Sequence, residues 1–164
     1  MNKAFDEYVK RYSGDLSRLC FSLCSCTQDA EDLFQDTWLK AMKNFSKYNS
    51  VYPFDKWLFS ICVNTYRNTL RLSYNKNKAS FPTLEDKERF INSVPDDSSL
   101  SFEKYLELRR IIMDLPKNLR TVIVLKSFRD YSIREISEML RIPEGTVKSR
   151  LHTAKNIIKR RLSE

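Results

Sequence analysis

The sequence contains very little glycine and proline. Its 164 residues include two glycines and five prolines. A many-stranded sheet needs frequent tight turns, and such turns draw on these two residues. Apolar side chains instead recur three and four positions apart, which is typical of amphipathic helices; the first such stripe runs through Phe5, Val9, Tyr12, Leu16, Leu19 and Leu23. We therefore predict an all-α fold.

Several common signatures of enzymes and membrane proteins are missing. The chain has one histidine, His152, no glycine-rich phosphate loop, and no Ser/His/Asp or Cys/His arrangement. No apolar run approaches the roughly 18 residues of a membrane span, and the first twelve residues, MNKAFDEYVKRY, lack the apolar core of a signal peptide. We expect a cytoplasmic protein that is not an enzyme, uses no cofactor and does not insert into membranes.

Four cysteines raise the question of a disulfide framework or a metal site. They are Cys20, Cys24, Cys26 and Cys62. Disulfide frameworks are typical of short secreted chains, so reduced thiols are the better interpretation. Cys20 and Cys24 share a helix face and could join Cys62 or His152 around a metal, but this spacing matches no common zinc pattern. We favour buried core thiols and no metal, while a redox role for Cys20, Cys24 and Cys26 stays open.

Positive charge is concentrated in the C-terminal third. Residues 116–164 carry twelve basic and five acidic side chains, whereas residues 1–73 carry ten and eight. A concentrated basic segment favours a polyanionic partner, because neutralised phosphates release counterions. A solvated charged surface is the alternative on charge alone.

The periodicity divides the chain into two helical parts. Helices are predicted over residues 4–24 and 29–45, from Pro53 to about 61, and over 65–73. A polar stretch without sustained period follows. We predict a domain at 1–74, a flexible linker at 75–101, and a second domain at 102–164. The helices of the second domain are predicted near 102–115, 117–129 and 132–141, and a last helix follows that ends at about 162.

The second domain contains the signals of a helix-turn-helix. Ser132 and Glu135 form a capping box at the start of one helix. Pro143 disfavours helical angles at the residue before it, so the first helix should end by Ile142. Pro143 itself suits the first position of the next helix. Two helices joined by so short a turn form a unit whose second helix enters the DNA major groove.

A helical wheel of that second helix separates a buried stripe from an outer face. The stripe consists of Val147, Leu151, Ala154 and Ile158. The opposite side carries the small and polar residues Gly145, Ser149, His152, Thr153 and Asn156. Lys148 and Arg150 lie on the two flanks of this side. Such a face lets central residues read bases while flanking cations hold phosphates. A basic surface helix without a DNA partner is the alternative.

Both halves resemble one protein family. DAEDLFQDTWLKAMKNF (29–45) and PFDKWLFSICVNTYRN (53–68) resemble region 2, and residues 115–162 resemble region 4, of the extracytoplasmic-function (ECF, group 4) sigma factors. The resemblance implies a promoter-recognition subunit of bacterial RNA polymerase. Its implied partners are promoter DNA, the clamp helices and flap of the core enzyme, and an anti-sigma factor. A stand-alone helix-turn-helix regulator and a sigma mimic that only binds proteins are the alternatives.

The resemblance also implies roles for individual residues. The polymerase-binding positions are Asp32, Leu33, Gln35, Asp36 and Trp38, with a core position as the alternative for Leu33 and Trp38. Asn64 matches the position that holds a base flipped from the −10 element, with a specificity loop around it formed by Thr65, Tyr66, Arg67 and Asn68. A helix-cap role is the alternative for Asn64.

Contacts to the −35 element are implied for the outer face of the last helix. The matching positions are Lys148, Ser149, His152 and Thr153, with Thr146 and Arg150 as phosphate contacts. Two residues depart from the pattern. Ser137 stands where helix-turn-helix units usually carry alanine, and Thr153 stands where some members carry arginine, so the base preference cannot be carried over.

Overall fold

The computed structural model describes residues 2–73 and 101–164, and within those ranges it contains helices and no strand. The all-α prediction is confirmed. In chain order the helices are α1 (Lys3–Leu23), α2 (Thr27–Asn44), α3 (Phe54–Ser73), α4 (Phe102–Asp114), α5 (Lys117–Arg129), α6 (Ile133–Leu140) and α7 (Glu144–Leu162), with a 3₁₀ turn, Phe45–Lys47, directly after α2.

The chain divides into two compact units, Met1–Ser80 and Phe81–Glu164. Almost all of the predicted linker, 75–101, lies outside the described residues, so the boundaries at 74 and 102 stay predictions. Only Ser101 is described, and its hydroxyl accepts a hydrogen bond from the Lys104 amide to cap α4. None of the described helices is long and apolar enough to cross a membrane.

The first unit is a three-helix bundle in which α2 packs against both α1 and α3. Its centre is built from small and branched side chains that recur three and four residues apart on each helix; they include Leu16, Leu19, Cys20, Ala30, Ala41, Leu58, Phe59, Cys62 and Val63. One edge of this core is aromatic. The Phe54 ring stacks on Tyr8 with centroids 3.9 Å apart, and the Trp38 ring meets Phe5 edge to face at 5.8 Å.

The predicted division of the third segment into two helices is wrong. The chain runs as one helix, α3, from Phe54 to Ser73. No glycine or proline occurs between Pro53 and Ser73, and the buried side chains of Leu58, Cys62 and Tyr66 continue one face at spacings of four. Without a residue that breaks the hydrogen-bond ladder, the amphipathic pattern extends the helix.

Buried thiols occupy the interface between α1 and α3. Cys20 and Cys62 are fully buried, with their sulfur atoms 3.8 Å apart. Burial, reinforced by the neighbouring Cys62 thiol, raises the pKa of Cys20 well above its ordinary value. Among the described residues, no cluster of His, Cys, Asp and Glu has the geometry to hold a metal ion. Cys20 and Cys62 therefore lie where the core-thiol interpretation expects them.

The second unit is built around α5. Every side chain from Leu119 to Leu125 is buried, because α5 packs against α6 and α7. Arg120 belongs to this buried run and caps α4: its Nε donates to the Ile112 carbonyl at 3.1 Å, and its Nη2 donates to Leu115 at 3.1 Å and also to Met113. A guanidinium thus satisfies carbonyls that end a helix without intrahelical partners.

Candidate nucleic-acid interface

The helix-turn-helix consists of α6, a short turn and α7. The Ser132 hydroxyl accepts a hydrogen bond from the Glu135 amide at 3.0 Å, which confirms the predicted cap. After Leu140 the chain passes through Arg141 in the left-handed region, with φ 57° and ψ 48°. The carbonyl of Ser137 accepts hydrogen bonds from the amides of Arg141 and Ile142, the latter at 3.1 Å. This pattern closes a helix with a left-handed residue.

Pro143 lies one position earlier than predicted. Its backbone is extended, with φ −61° and ψ 149°, so it is the N-cap of α7 rather than its first helical residue. The Pro143 carbonyl accepts from the amides of Thr146 and Val147 at 3.1 and 3.2 Å. The proline still starts the helix at low cost, since an N-cap amide is outside the helical ladder and its absence loses no hydrogen bond.

The two faces of α7 match the predicted wheel. Val147, Leu151 and Ala154 are buried against the unit, and Ile158 is half-buried. The four residues assigned to base contacts are all exposed; they are Lys148, Ser149, His152 and Thr153. The two residues assigned to phosphate contacts, Thr146 and Arg150, are half-buried. The structure thus brings all six predicted −35 residues together on one helix face.

Hydrogen bonds within α7 orient the polar side chains of that face. The Ser149 hydroxyl donates to the Thr146 carbonyl at 3.0 Å, and the Thr153 hydroxyl donates to the Ser149 carbonyl at 2.9 Å. The Asn156 amide nitrogen lies 3.1 Å from His152 Nε2. The face therefore presents two hydroxyls, an amide and an imidazole, which are groups that exchange hydrogen bonds with base edges.

The charge of α7 suits a phosphate backbone. The helix carries six basic side chains and one acidic one, Glu144. Glu144 lies in the first turn, where a carboxylate meets the positive end of the helix dipole. Gly145 is exposed, and a Cβ built there would meet no heavy atom within 4 Å. The absence of a side chain at Gly145 therefore has no explanation in the packing of the described residues.

The predicted polymerase-binding residues separate into exposed and buried members of α2. Asp32, Gln35 and Asp36 are exposed. Leu33 is 4% exposed and belongs to the core, and Trp38 is half-buried against Phe5. The core alternative thus holds for Leu33, because it continues the inward stripe of α2 and its side chain cannot reach a partner.

Two exposed apolar residues on α2 were missed by the sequence reasoning. Leu39 is 51% exposed and Met42 is 47% exposed. Leu39 follows Gln35 by four positions, so it continues the acidic and amide face along the helix. A wheel drawn outward from the stripe of Leu33, Thr37 and Ala41 would have found both residues. We name the surface formed by Asp32, Gln35, Asp36, Leu39 and Met42 the α2 surface.

The specificity loop predicted around Asn64 is wrong as a loop, because residues 64–68 all lie inside α3. Thr65 and Tyr66 are buried, at 2% and 5% exposure, so their side chains face the core. Thr65 instead accepts a hydrogen bond from Lys40 Nζ at 3.2 Å, which links α3 to α2. Only Asn64, Arg67 and Asn68 remain at the surface.

Asn64 is held by the helix around it. Its Nδ2 donates to the Ser60 carbonyl at 2.8 Å, and its Oδ1 accepts from Arg67 Nη1 at 3.3 Å. A mid-helix position also makes the helix-cap alternative wrong for Asn64. The amide and the exposed guanidinium form a small polar group on the surface of α3.

The segment that precedes α3 carries exposed apolar residues instead. Val51 is 82% exposed and Tyr52 is 65% exposed. Asn49 folds this turn: its side-chain oxygen accepts from the Val51 amide at 3.1 Å, and its carbonyl accepts from Tyr52 at 3.0 Å. The sequence signal was an aromatic residue outside the helical stripe, next to the turn residues Asn49 and Pro53.

Comparisons with known proteins agree on both units. Residues 8–73 match the family model described as Sigma-70 region 2, and residues 105–157 match Sigma-70, region 4. The chain is 29% identical over 168 residues to the ECF RNA polymerase sigma factor SigW of Bacillus subtilis, covering 98% of this chain and 90% of the relative. It is 30% identical over 167 residues to the RNA polymerase sigma-H factor of Pseudomonas aeruginosa, covering 98% and 86%.

Solved structures that share the fold include the following two complexes. The sigma factor RpoE of Bartonella quintana, solved with the anti-sigma factor NepR, superposes with a TM-score of 0.79 at 22% identity, covering 99% of this chain and 98% of that one. CnrH, solved with the cytosolic domain of CnrY, gives a TM-score of 0.69 at 22% identity, covering 99% and 90%.

Proposed function

The chain belongs to the ECF group of the sigma-70 family and is an RNA polymerase sigma factor rather than a stand-alone regulator, and from this premise we propose how its surfaces divide the work. The α2 surface binds core polymerase, α7 reads the −35 element, and the surface of α3 with the preceding turn captures an unpaired base of the −10 element. Every step is binding, so no bond is made or broken by the chain itself. It acts in the cytoplasm with the polymerase.

Binding of core polymerase by the α2 surface is supported by its composition. Carboxylates at Asp32 and Asp36 would repel DNA phosphates, whereas exposed Leu39 and Met42 offer apolar area beside them. Apolar anchors ringed by polar groups are typical of protein interfaces. The partner that fits is a helical surface with basic and apolar side chains, as the clamp helices implied by the family resemblance would provide.

The test of this assignment is the affinity for purified core polymerase. Replacing Leu39 and Met42 together by glutamate should weaken binding by roughly tenfold or more, since anchor side chains of an interface each contribute more than about 1 kcal/mol, while the helix content stays unchanged. The control is Lys10→Glu, which also places a carboxylate on an exposed helical position, on α1. Equal loss in both variants, or no loss in the double variant, would contradict the assignment.

Recognition of the −35 element by α7 is supported by the exposure of Lys148, Ser149, His152 and Thr153 on one basic face. Lys148→Ala with Arg150→Ala should weaken promoter binding by the holoenzyme. A plot of log affinity against log salt has a negative slope, and each lost phosphate contact should make that slope less steep by about 0.9. Lys104→Ala, an exposed cation of α4, is the control and should leave the slope as it is.

Capture of a −10 base is supported by Asn64 and Tyr52. The Asn64 amide could exchange its bond with Arg67 for the edge of an unpaired base, and the exposed Tyr52 ring offers a stacking surface. Binding to the flipped base would offset the unpairing cost of a few kcal/mol. Asn64→Ala should therefore reduce the permanganate reactivity of melted thymines without changing the affinity for core polymerase.

A matched control exists for Asn64. The Asn44 Nδ2 donates to the Lys40 carbonyl at 2.8 Å, the same local bond that Asn64 makes to Ser60. Asn44→Ala removes an identical helix contact from a different surface. If both variants melt the promoter equally well, Asn64 has no role in base capture.

An anti-sigma factor is a further proposed partner. Of the two solved structures described above, one is a sigma factor in complex with the anti-sigma factor NepR, and the other is CnrH in complex with the cytosolic domain of CnrY. A regulator that covers the α2 surface would exclude core polymerase by direct competition. Co-purification from the native host with wild-type chain, but not with the Leu39 and Met42 double variant, would support this partner and place its binding site.

A further inference from the structure

Left-handed backbone in this protein does not coincide with its glycines. Among the described residues, positive φ occurs at Asp130 (50°) and Arg141 (57°), while both glycines have ordinary helical backbone. A non-glycine residue in this region is strained, and such strain persists where the surrounding structure and a function support it. Each of the two residues therefore needs a reason for not being glycine.

Asp130 has a local reason. Short polar side chains tolerate the left-handed region better than others do, and the Asp130 carboxylate forms an ion pair with Lys126 at 2.9 Å. Arg141 has no such reason. Its side chain is exposed and forms neither an ion pair nor a hydrogen bond with the described part of the chain.

The turn around Arg141 is fastened by a neighbour. The Ser137 carbonyl accepts from the amides of Arg141 and Ile142, and the Ser137 hydroxyl donates to the Ile142 carbonyl at 2.5 Å. The alanine that helix-turn-helix units usually carry at this position could not make the last bond. Ser137 therefore adds a hydrogen bond that spans the strained residue and connects α6 to the residue before Pro143.

The position of Arg141 is suited to the DNA backbone. It directly follows α6 and lies two residues before the N-cap of α7, the helix that carries the proposed −35 contacts. In helix-turn-helix units the helix before the recognition helix crosses the phosphate backbone. A guanidinium is always charged and matches phosphate oxygens with paired donors, whereas glycine would relieve the strain and contribute no charge.

We propose that Arg141 is a further phosphate contact of the −35 complex, and that Ser137 is the positioning residue that holds its strained turn. This inference rests on the proposed function of α7. It goes beyond the family pattern, because it joins the Ser137 departure to a second unusual residue through one hydrogen-bonded turn.

The test of Arg141 uses the holoenzyme and a promoter fragment that the wild-type holoenzyme selects from a randomised library. Arg141→Gly should make the slope of log affinity against log salt less steep by about 0.9, which corresponds to one lost phosphate contact. The same variant should have a higher melting temperature because the strain is removed. Arg141→Lys keeps charge and strain, so both readouts should stay near wild type. An unchanged salt slope in Arg141→Gly would overturn the contact.

The test of Ser137 separates positioning from simple stability. Ser137→Ala should lower both the melting temperature and the promoter affinity. Ser137→Thr should keep the promoter affinity near that of wild type, because threonine keeps the hydroxyl. In the Arg141→Gly background Ser137→Ala should cost less affinity, since no cation is left to position. Equal loss in both backgrounds would overturn the positioning role. If the wild-type holoenzyme selects no promoter at all, the proposed function fails, and this inference with it.

Discussion

Gly145→Ala should make the protein more stable and a poorer DNA binder at once. A Cβ at this position would meet no protein atom within 4 Å, and the glycine has ordinary helical backbone, so alanine introduces neither clash nor strain. Replacing a glycine in the middle of a helix by alanine stabilises by about 0.5–1 kcal/mol, and Gly145, in the first turn of α7, should gain up to that amount. For a unit of this size that corresponds to a rise in melting temperature of about 2–8 °C.

The expected loss of DNA affinity follows from the same exposed position. If Gly145 lies against DNA, an added methyl group overpacks a close contact, and overpacking costs about 1–3 kcal/mol, or roughly 5- to 150-fold in affinity. Calorimetry and promoter binding by the holoenzyme measure the two effects. Gly14→Ala on α1 is the control: its Cβ would come 3.9 Å from Arg18 Nη2, an ordinary contact, so it should stabilise without affecting DNA. Unchanged affinity in Gly145→Ala would refute a close approach of DNA at this glycine.

Three further predictions concern the scaffold. Ser132→Ala removes the α6 cap and should lower the free energy of unfolding by about 1 kcal/mol in urea titrations. Arg120→Met leaves the carbonyls that end α4 without a buried donor and should cost about 1–3 kcal/mol in the same assay, with Arg120→Lys intermediate; a neutral Arg120→Met would refute the capping role. Thiol alkylation of the native protein should modify the half-buried Cys26 before the buried Cys20. Burial raises the pKa of both thiols, so both rates should increase as the pH rises, and faster reaction at Cys20 would contradict the buried core.

Local signals predicted the second unit well. The capping Ser132, the proline before α7 and the spacing of Val147, Leu151 and Ala154 each depend on residues close in sequence. Short-range rules therefore sufficed to place the outer face of α7. The left-handed Arg141 was not predictable, because glycine is the residue that normally marks such a turn.

The first unit exposed the limits of the same rules. Which apolar side chains of α2 face inward depends on where α1 and α3 pack, so Leu33 was assigned to a partner and Leu39 and Met42 were overlooked. The assumed loop at residues 65–68 came from a resemblance rather than from a break signal, and α3 simply continues through it. Tertiary packing decided both points, and a single-helix wheel does not contain that information.

The most direct measurement of the central claim is run-off transcription with purified core polymerase and a promoter library. The chain should give start sites that core polymerase alone does not give. Those start sites should disappear with the Leu39 and Met42 glutamate variant. The Lys148 and Arg150 alanine variant should weaken them, and its deficit relative to wild type should shrink as salt increases, because it makes fewer phosphate contacts. If the wild-type chain supports no start site beyond those of core polymerase, the account of its surfaces as a promoter-recognition device is contradicted.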